Sequence, residues 1–186
     1  ENVEVVRSTT ILVDNTAPVT EHHIGSPYYS AGGVNYITPA TPLSFSAEDP
    51  VVSEVFSGVA RIEIAVDGGQ WQTYTQPLKF AEGRHTINYR AIDNVGNTEA
   101  GKTISVQSDA TAPISAWLVN VGEHIELGGR FYLNALGKLA LESSDPVVGN
   151  VASGVEGIYY GIDSTPSARY TAPFGLVEGI RTLNFN

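Results

Sequence analysis

Cysteine is absent from the chain, which excludes disulfides and thiolate metal sites but leaves the compartment open, because many bacterial secreted proteins fold without disulfides. Methionine is absent as well, so the sequence reads as a piece or a processed product. Basic residues are few: 10 Lys and Arg stand against 20 Asp and Glu, a net charge of −10. That balance argues against nucleic acid or an anionic membrane as the main partner, since either would repel the surface. It suits solubility or bound cations. No apolar run is long enough to span a bilayer, and Glu1-Asn2-Val3-Glu4 has neither the basic nor the apolar region of a signal peptide. Helical periodicity is missing too, since no segment holds an apolar helical period over three turns.

What the sequence does contain is a repeat. Asp14-Asn15-Thr16-Ala17-Pro18 returns as Asp109-Ala110-Thr111-Ala112-Pro113, an interval of 109 − 14 = 95 residues. Asp and Asn bond their own main chain and Pro fixes φ while removing a ladder donor, so each copy ends a strand and restarts the chain at an angle. From Gly32-Gly33 onward the copies run at 128 − 32 = 96 residues. Asp49-Pro50-Val51-Val52 answers Asp145-Pro146-Val147-Val148, Ser57-Gly58-Val59 answers Ser153-Gly154-Val155, and Glu82-Gly83 answers Glu178-Gly179. Tyr74-Thr75 with Pro77 likewise matches Tyr170-Thr171 with Pro173. A period this long means one whole domain per repeat instead of a solenoid rung. The expected division is residues 1–14 as a separate strand, 15–108 as repeat 1 and 109–186 as repeat 2.

Short β-strands account for the patterning. Residues 3–14 are rich in Val, Ile and Thr without a helix cap and read as one strand. Expected strands follow at 19–24, in a hairpin over 28–38 around Gly32-Gly33, and at 43–47. After a polar loop over 48–58 come 59–66, a turn at Asp67-Gly68-Gly69 and a return at 70–75. Then come 78–80, 83–92 and 102–107. About seven or eight short strands in about 95 residues favour an all-β fold of two tandem immunoglobulin-like sandwiches.

The motif set D-N-T-A-P, S-G-V-x-x-I with V-D-G-G-x-W-x-x-Y, and E-G-x-H-T-I-N-Y-R-A-x-D-N-x-G-N resembles the bacterial Ig-like repeats of very large surface proteins and adhesins. Such repeats also accompany secreted hydrolases. The resemblance implies a sandwich fold, an extracellular or cell-surface address, a spacer or adhesion role, and in some branches calcium at the domain joints. Repeat 2 departs from the set where Ser164-Thr165-Pro166-Ser167 replaces Gly68-Gly69-Gln70-Trp71.

Several residues are candidates for chemistry. In a sandwich of this connectivity, Asp14, Asn15, Glu48, Asp49, Asp93, Asn94 and Asn97 share one pole. Calcium takes ~6–8 hard oxygens of this kind, and Asp and Asn are equally the residues that form turns. Repeat 2 offers Asp109, Glu142, Asp145 and Asn150 at its own pole. Trp71 is a candidate sugar platform; Tyr74, three residues on and matched by Tyr170, faces the other way and belongs to the core. His22 and His23 are neighbours on a strand and point to opposite faces, which argues against a shared metal. Ser57-Gly58 lacks the G-x-S-x-G of a nucleophile elbow. No enzyme is expected.

The expected role is therefore an extracellular spacer, fibre or adhesive subunit whose partners are copies of itself, neighbouring repeats or a host or matrix ligand. The rival is a carbohydrate-binding accessory module. One further expectation concerns residues 1–14, which align with 96–109, the closing strand of repeat 1. Asn186 aligns with Arg90, so the given sequence stops short of that strand in repeat 2. Val3, Val5, Val6, Thr9, Ile11 and Val13 are the expected assembly strand, inserting into the C-terminal unit of a neighbour.

Overall fold

The computed structural model describes residues 4–186. The described chain is all-β, with no helix, and divides into two compact units, Glu1–Asp109 and Ala110–Asn186. Among the described residues no helix is long and apolar enough to cross a membrane.

The first unit contains β1 (Val19–Ile24), β2 (Tyr28–Ala31), β3 (Val34–Ile37), β4 (Leu43–Glu48), β5 (Val59–Val66), β6 (Gln72–Thr73), β7 (Gly83–Asp93) and β8 (Lys102–Ser108). Two sheets result. One pairs β1 with β4, and Leu43 extends it by exchanging both main-chain bonds with Leu78. The other runs in the order β2-β3-β8-β7-β5-β6. Alternation decides which face is inside. In β8 the side chains of Ile104, Val106 and Ser108 are buried while Thr103 and Ser105 are exposed; β7 buries Ile87, Tyr89 and Ala91. These meet Leu43 and Phe45 of β4, and Ile37, Ile64 and Phe80 complete one shared core, as a β-sandwich requires. The Phe45 ring lies 4.9 Å from Tyr89 and 5.3 Å from Tyr74, so Tyr74 belongs to the core side as expected.

The β2–β3 hairpin turns on Gly32 and Gly33, whose φ values of 57° and 79° are the paired positive angles of a type I′ turn. The hairpin joins the sheet through β8, with Tyr36 beside Gln107 and Ile37 beside Ser108 in parallel register.

The second unit contains β9 (Ile114–Val121), β10 (His124–Leu127), β11 (Arg130–Leu133), β12 (Lys138–Ser144), β13 (Tyr159–Ile162), β14 (Ala168–Arg169), β15 (Phe174–Gly175) and β16 (Leu183–Phe185). Its sheets are β15-β12-β9, β14-β13-β16 and the separate hairpin β10-β11, which turns on Gly128 and Gly129. The construction follows the first unit: β9–β12 answers β1–β4, β12–β15 answers the Leu43–Leu78 bridge, and β13–β16 answers β5–β7. Even the small bridge Val52–Val55 recurs as Val148–Val151. The β13–β14 turn lacks the glycines of the β5–β6 turn: Asp163 keeps the positive φ, 53°, of Asp67, while Ser164 stands at the place of Gly68 without its positive φ of 75°. The Asp163 carboxylate caps Thr182 N at 2.7 Å, as that of Asp67 caps Thr86 N at 2.8 Å.

Three expectations need correction. Residues 4–14 form no strand and are exposed up to Val13, because extended chain becomes a strand only when a ladder partner lies beside it; Val3 lies outside the described residues. The strand expected at 78–80 reduces to the Leu78 bridge, and the one at 70–75 to Gln72–Thr73.

Leu43 is completely buried and carries both the bridge to Leu78 and contact with the core. Leu43→Ala is expected to cost the first unit about 2–5 kcal/mol, measured as a lower urea midpoint for its unfolding transition, whereas Ile11→Ala at an exposed position leaves that midpoint unchanged.

Candidate metal centre

Three turns of the first unit deliver carboxylates to one place. Asp14 ends the N-terminal segment, Asp49 follows β4 and Asp93 ends β7; one oxygen from each lies within 4.8 Å of the others. Asp93 is 2 % exposed and Asp49 8 %, with Asp14 half-buried.

Each carboxylate is aimed by main-chain donors. Asp14 Oδ1 accepts from Thr16 N at 3.0 Å, an Asx turn, and its Oδ2 accepts from Ser57 N at 2.7 Å. Asp49 Oδ2 accepts from Gly58 N at 2.7 Å and shares Ser57 N at 3.1 Å. Asp93 Oδ1 accepts from Val95 N and Asn97 N, and its Oδ2 accepts from Asn97 Nδ2 at 2.6 Å. Asn97 Nδ2 also reaches the main-chain oxygen of Asp14 at 3.1 Å, tying the segment to the turn after β7.

The Ser57 hydroxyl and the Asn97 donors set the charge state. The Ser57 hydroxyl beside Asp14, then Thr16 N–H, hold its carboxyl below the ordinary 3.8, against burial and repulsion from Asp93. Burial pushes the Asp93 carboxyl up, but the donors of Asn97, then Gly96 and Ser57, outweigh it and leave it below 3.8. One atom remains over: Asp49 Oδ1 is buried without a hydrogen-bond partner. A buried unpartnered carboxylate oxygen is costly unless something else satisfies it. Calcium bonds oxygens at ~2.3–2.6 Å, so ligands on opposite sides of one ion stand ~5 Å apart, which is the span of this cluster. The donor set fits such an ion: Asp14, Asp49 and Asp93 would hold it, with the Ser57 hydroxyl at hand.

Of the seven acidic-pole residues expected from sequence, these three come together. Asn97 and Asn94 serve as amide donors, Asn94 Nδ2 bonding the Ser57 and Gly58 carbonyls at 2.8 and 3.0 Å. Glu48 and Asn15 are exposed; Glu48, next to Asp49 on the chain, stands outside the carboxylate group because neighbouring extended residues face opposite ways. In the second unit Asp145 repeats the bond to Gly154 N at 2.6 Å and again leaves Oδ1 buried and unpartnered.

Glu99 was not among the expected residues. It is 9 % exposed and receives Thr20 N at 2.9 Å, the Thr20 hydroxyl, Ala91 N at 3.1 Å and Lys102 Nζ at 2.7 Å. Burial pushes its carboxyl up, and the Lys102 and Thr20 donors more than reverse this, leaving it below 4.5. Its sequence signal was the repetition of Glu99 and Lys102 as Glu4 and Arg7, three residues apart in both copies.

Trp71 is 40 % exposed, but the Arg90 guanidinium lies 4.3 Å from its ring centroid, a cation–π contact that covers one face. His22 bonds the Tyr89 hydroxyl at 3.0 Å, while His23 is exposed on the same strand. Comparison with known proteins found no matching family model, curated protein or solved structure.

Two outcomes are expected. Calcium added to a hundredfold excess over its Kd should stabilise the first unit by about 2.7 kcal/mol, seen as a raised Tm that Asp93→Asn abolishes; titration calorimetry without heat at millimolar calcium would remove the ion. Asp14, Asp93 and Glu99 have folded pKa values below their unfolded ones. Their stabilisation is therefore complete above the ordinary 3.8 and 4.5 and is lost as pH falls through the folded values. Denaturant midpoints of the first unit should drop in that acid window, and less steeply in Glu99→Gln.

Proposed function

We propose that the chain is a pair of immunoglobulin-like repeats acting as an extracellular spacer or fibre subunit, of the kind found in the bacterial surface proteins its motifs resemble. The observation that carries this reading is the repetition of construction down to single bonds: Asp49–Gly58 with Asp145–Gly154, Asp67–Thr86 with Asp163–Thr182, and Val52–Val55 with Val148–Val151. Duplicating a whole bonding plan multiplies length and strength, whereas a catalytic site needs one constellation of unlike groups.

The acidic cluster supports a mechanical role in a calcium-containing medium. It gathers the N-terminal segment, the loop after β4 and the turn after β7, so an ion there would fasten three separate stretches of chain. The partners on this reading are further repeats, including copies of this chain. The rival, a sugar-binding accessory module, rests on Trp71, of whose two ring faces one is already occupied by Arg90.

Single-molecule stretching of the whole chain is expected to show separate unfolding of the two units, with the force of the first raised by calcium and lowered again in Asp93→Asn. Binding to a glycan array that Trp71→Ala abolishes would overturn the spacer in favour of the rival.

A further inference from the structure

One position of the repeat differs between the two units in residue type and agrees in what it bonds. In the first unit the His85 side chain folds back over Gly83, with Nδ1 2.8 Å from Asp67 Oδ2 and Nε2 3.0 Å from the Ala81 carbonyl oxygen. At the 96-residue offset its counterpart is Arg181, which folds back over Gly179 in the same way. Arg181 Nη1 donates to Asp163 Oδ2 at 3.0 Å, Nε to the Val177 carbonyl at 3.4 Å and Nη2 to the Glu178 carbonyl at 3.3 Å. Asp163 and Val177 are the counterparts of Asp67 and Ala81. Within each unit, then, a single side chain fastens the carboxylate of one turn to the main chain that precedes the next long strand region.

Both partners of His85 are acceptors. A main-chain carbonyl has no proton to give, and the Asp67 carboxylate is ionised: burial pushes its carboxyl up, but the Thr86 N–H and then His85 outweigh this and hold it below the ordinary 3.8. A neutral imidazole has one N–H and one lone pair, so either tautomer turns a lone pair toward an acceptor, whereas the imidazolium has a donor for each. The Phe80 ring, stacked 4.8 Å from the imidazole, also favours a cation over its face. The elements packed on the ring bring Asp67 from the turn after β5, Phe80 and Ala81 from the segment before β7, on which Glu82 follows, and the buried Val106, its partner on β8. Arg84 and Thr86 lie on the opposite face of the strand. His22 makes the contrast: its partner, the Tyr89 hydroxyl at 3.0 Å, can donate or accept and suits either state of that ring.

We propose that His85 is a proton-operated clasp: its imidazolium fastens the β5–β6 turn to the chain entering β7, loss of the proton releases one of the two bonds, and Arg181 makes the same clasp permanent in the second unit. The folded first unit then holds this proton more tightly than the unfolded chain does. Stability conferred in this way is complete in mild acid and is lost as pH rises through the histidine range near ~6.5. The direction is opposite to that of Asp14, Asp93 and Glu99, whose contribution is lost toward acid. The first unit is therefore most stable between the two windows, at roughly pH 5–6. The two devices are also apart in space. β5 and β7 run antiparallel from the acidic cluster at Gly58 and Asp93 to the clasp at Asp67 and His85, a separation of roughly 25 Å along extended strand. A proton taken up at the clasp thus acts on the end of the unit away from the candidate ion site. The clasp requires only the fold of the first unit and stands independently of the spacer role.

The test is urea unfolding of the full 186-residue chain as a function of pH, with NMR of the same samples. Between about pH 5 and 8 the unfolding equilibrium constant of the first unit should rise roughly fivefold, the upper end for a partly exposed ion pair. His85→Arg, which copies the residue of the second unit, should keep the fold and abolish the rise. Asp67→Asn keeps an oxygen for the Thr86 N–H and offers its amide nitrogen as a donor to a neutral ring, so in this variant too the rise should vanish. The amide signals of Asp67, Gly69 and Gly83 should move together with the His85 ring signals in the parent chain and stay fixed over the same range in His85→Arg. A parent unfolding constant that is level over that range, or a rise that persists undiminished in either variant, would overturn the clasp and assign any remaining titration to His22 or His23.

Discussion

Main-chain hydrogen bonding on both sides of β8 is the constraint on which the first unit depends. Antiparallel bonds run to β7 from Gly83 to Tyr89, and parallel bonds join Tyr36 and Ile37 of β3. Without β8 the β2–β3 hairpin would have no route into the sheet, and Ile104 and Val106 would be missing from the core. The contrast with the second unit follows. Its buried apolar side chains are Leu139, Ala140, Leu141 and Val151, while Ile125, Leu127, Phe131 and Tyr132 of the separate hairpin are exposed. The same plan with one lane open has both an unpaired edge and a thinner core, and these are one fact seen from the backbone and from the side chains.

Acidic residues do two kinds of work in this chain, and hydrogen-bond geometry separates them. Asp67 and Asp163 only build turns: each accepts a main-chain N–H from the neighbouring chain outside its own hairpin, Thr86 of β7 or Thr182 before β16, and pairs with the side chain of His85 or Arg181. Asp14 and Asp93 also build turns, through Thr16 N and Val95 N, but their remaining capacity converges with that of Asp49 in one place where, among the described residues, no side-chain cation pairs with them. A turn-forming role alone explains the aim of each carboxylate. It does not explain why Asp49 Oδ1 is buried without a partner, and that is the observation that turns a group of turn residues into a candidate ion site.

Much of this was legible in the residues because strand alternation and turn chemistry are local. The Gly32-Gly33 and Asp67-Gly68-Gly69 hairpins, the 59–66 strand and the joint at Asp109 lie where period and turn residues put them. Pairing is not local. Residues 3–14 carry the composition of a strand, but a strand exists only beside a partner, and composition does not say where the partner is. Glu48 and Asp49 are equally acidic on paper; which of the two turns inward depends on the pleat at the end of β4. Glu99 was hidden for a different reason: a lone Glu among polar residues has no pattern of its own, and only its recurrence as Glu4, with a cation three residues on, marks it.

The acidic cluster and the exposed segment are also physically coupled. Asp14 is at once the last residue of the 4–14 match and a member of the cluster, and its main-chain oxygen is held by Asn97 Nδ2. Ordering one residue of free backbone costs roughly 1–2 kcal/mol, so whatever fixes Asp14 to Ser57 and Asn97 removes part of that cost for the residues immediately before it. The turn chemistry of the joint therefore does more than end one strand and start the next: it ties the end of the N-terminal segment to the loop after β4 and the turn after β7.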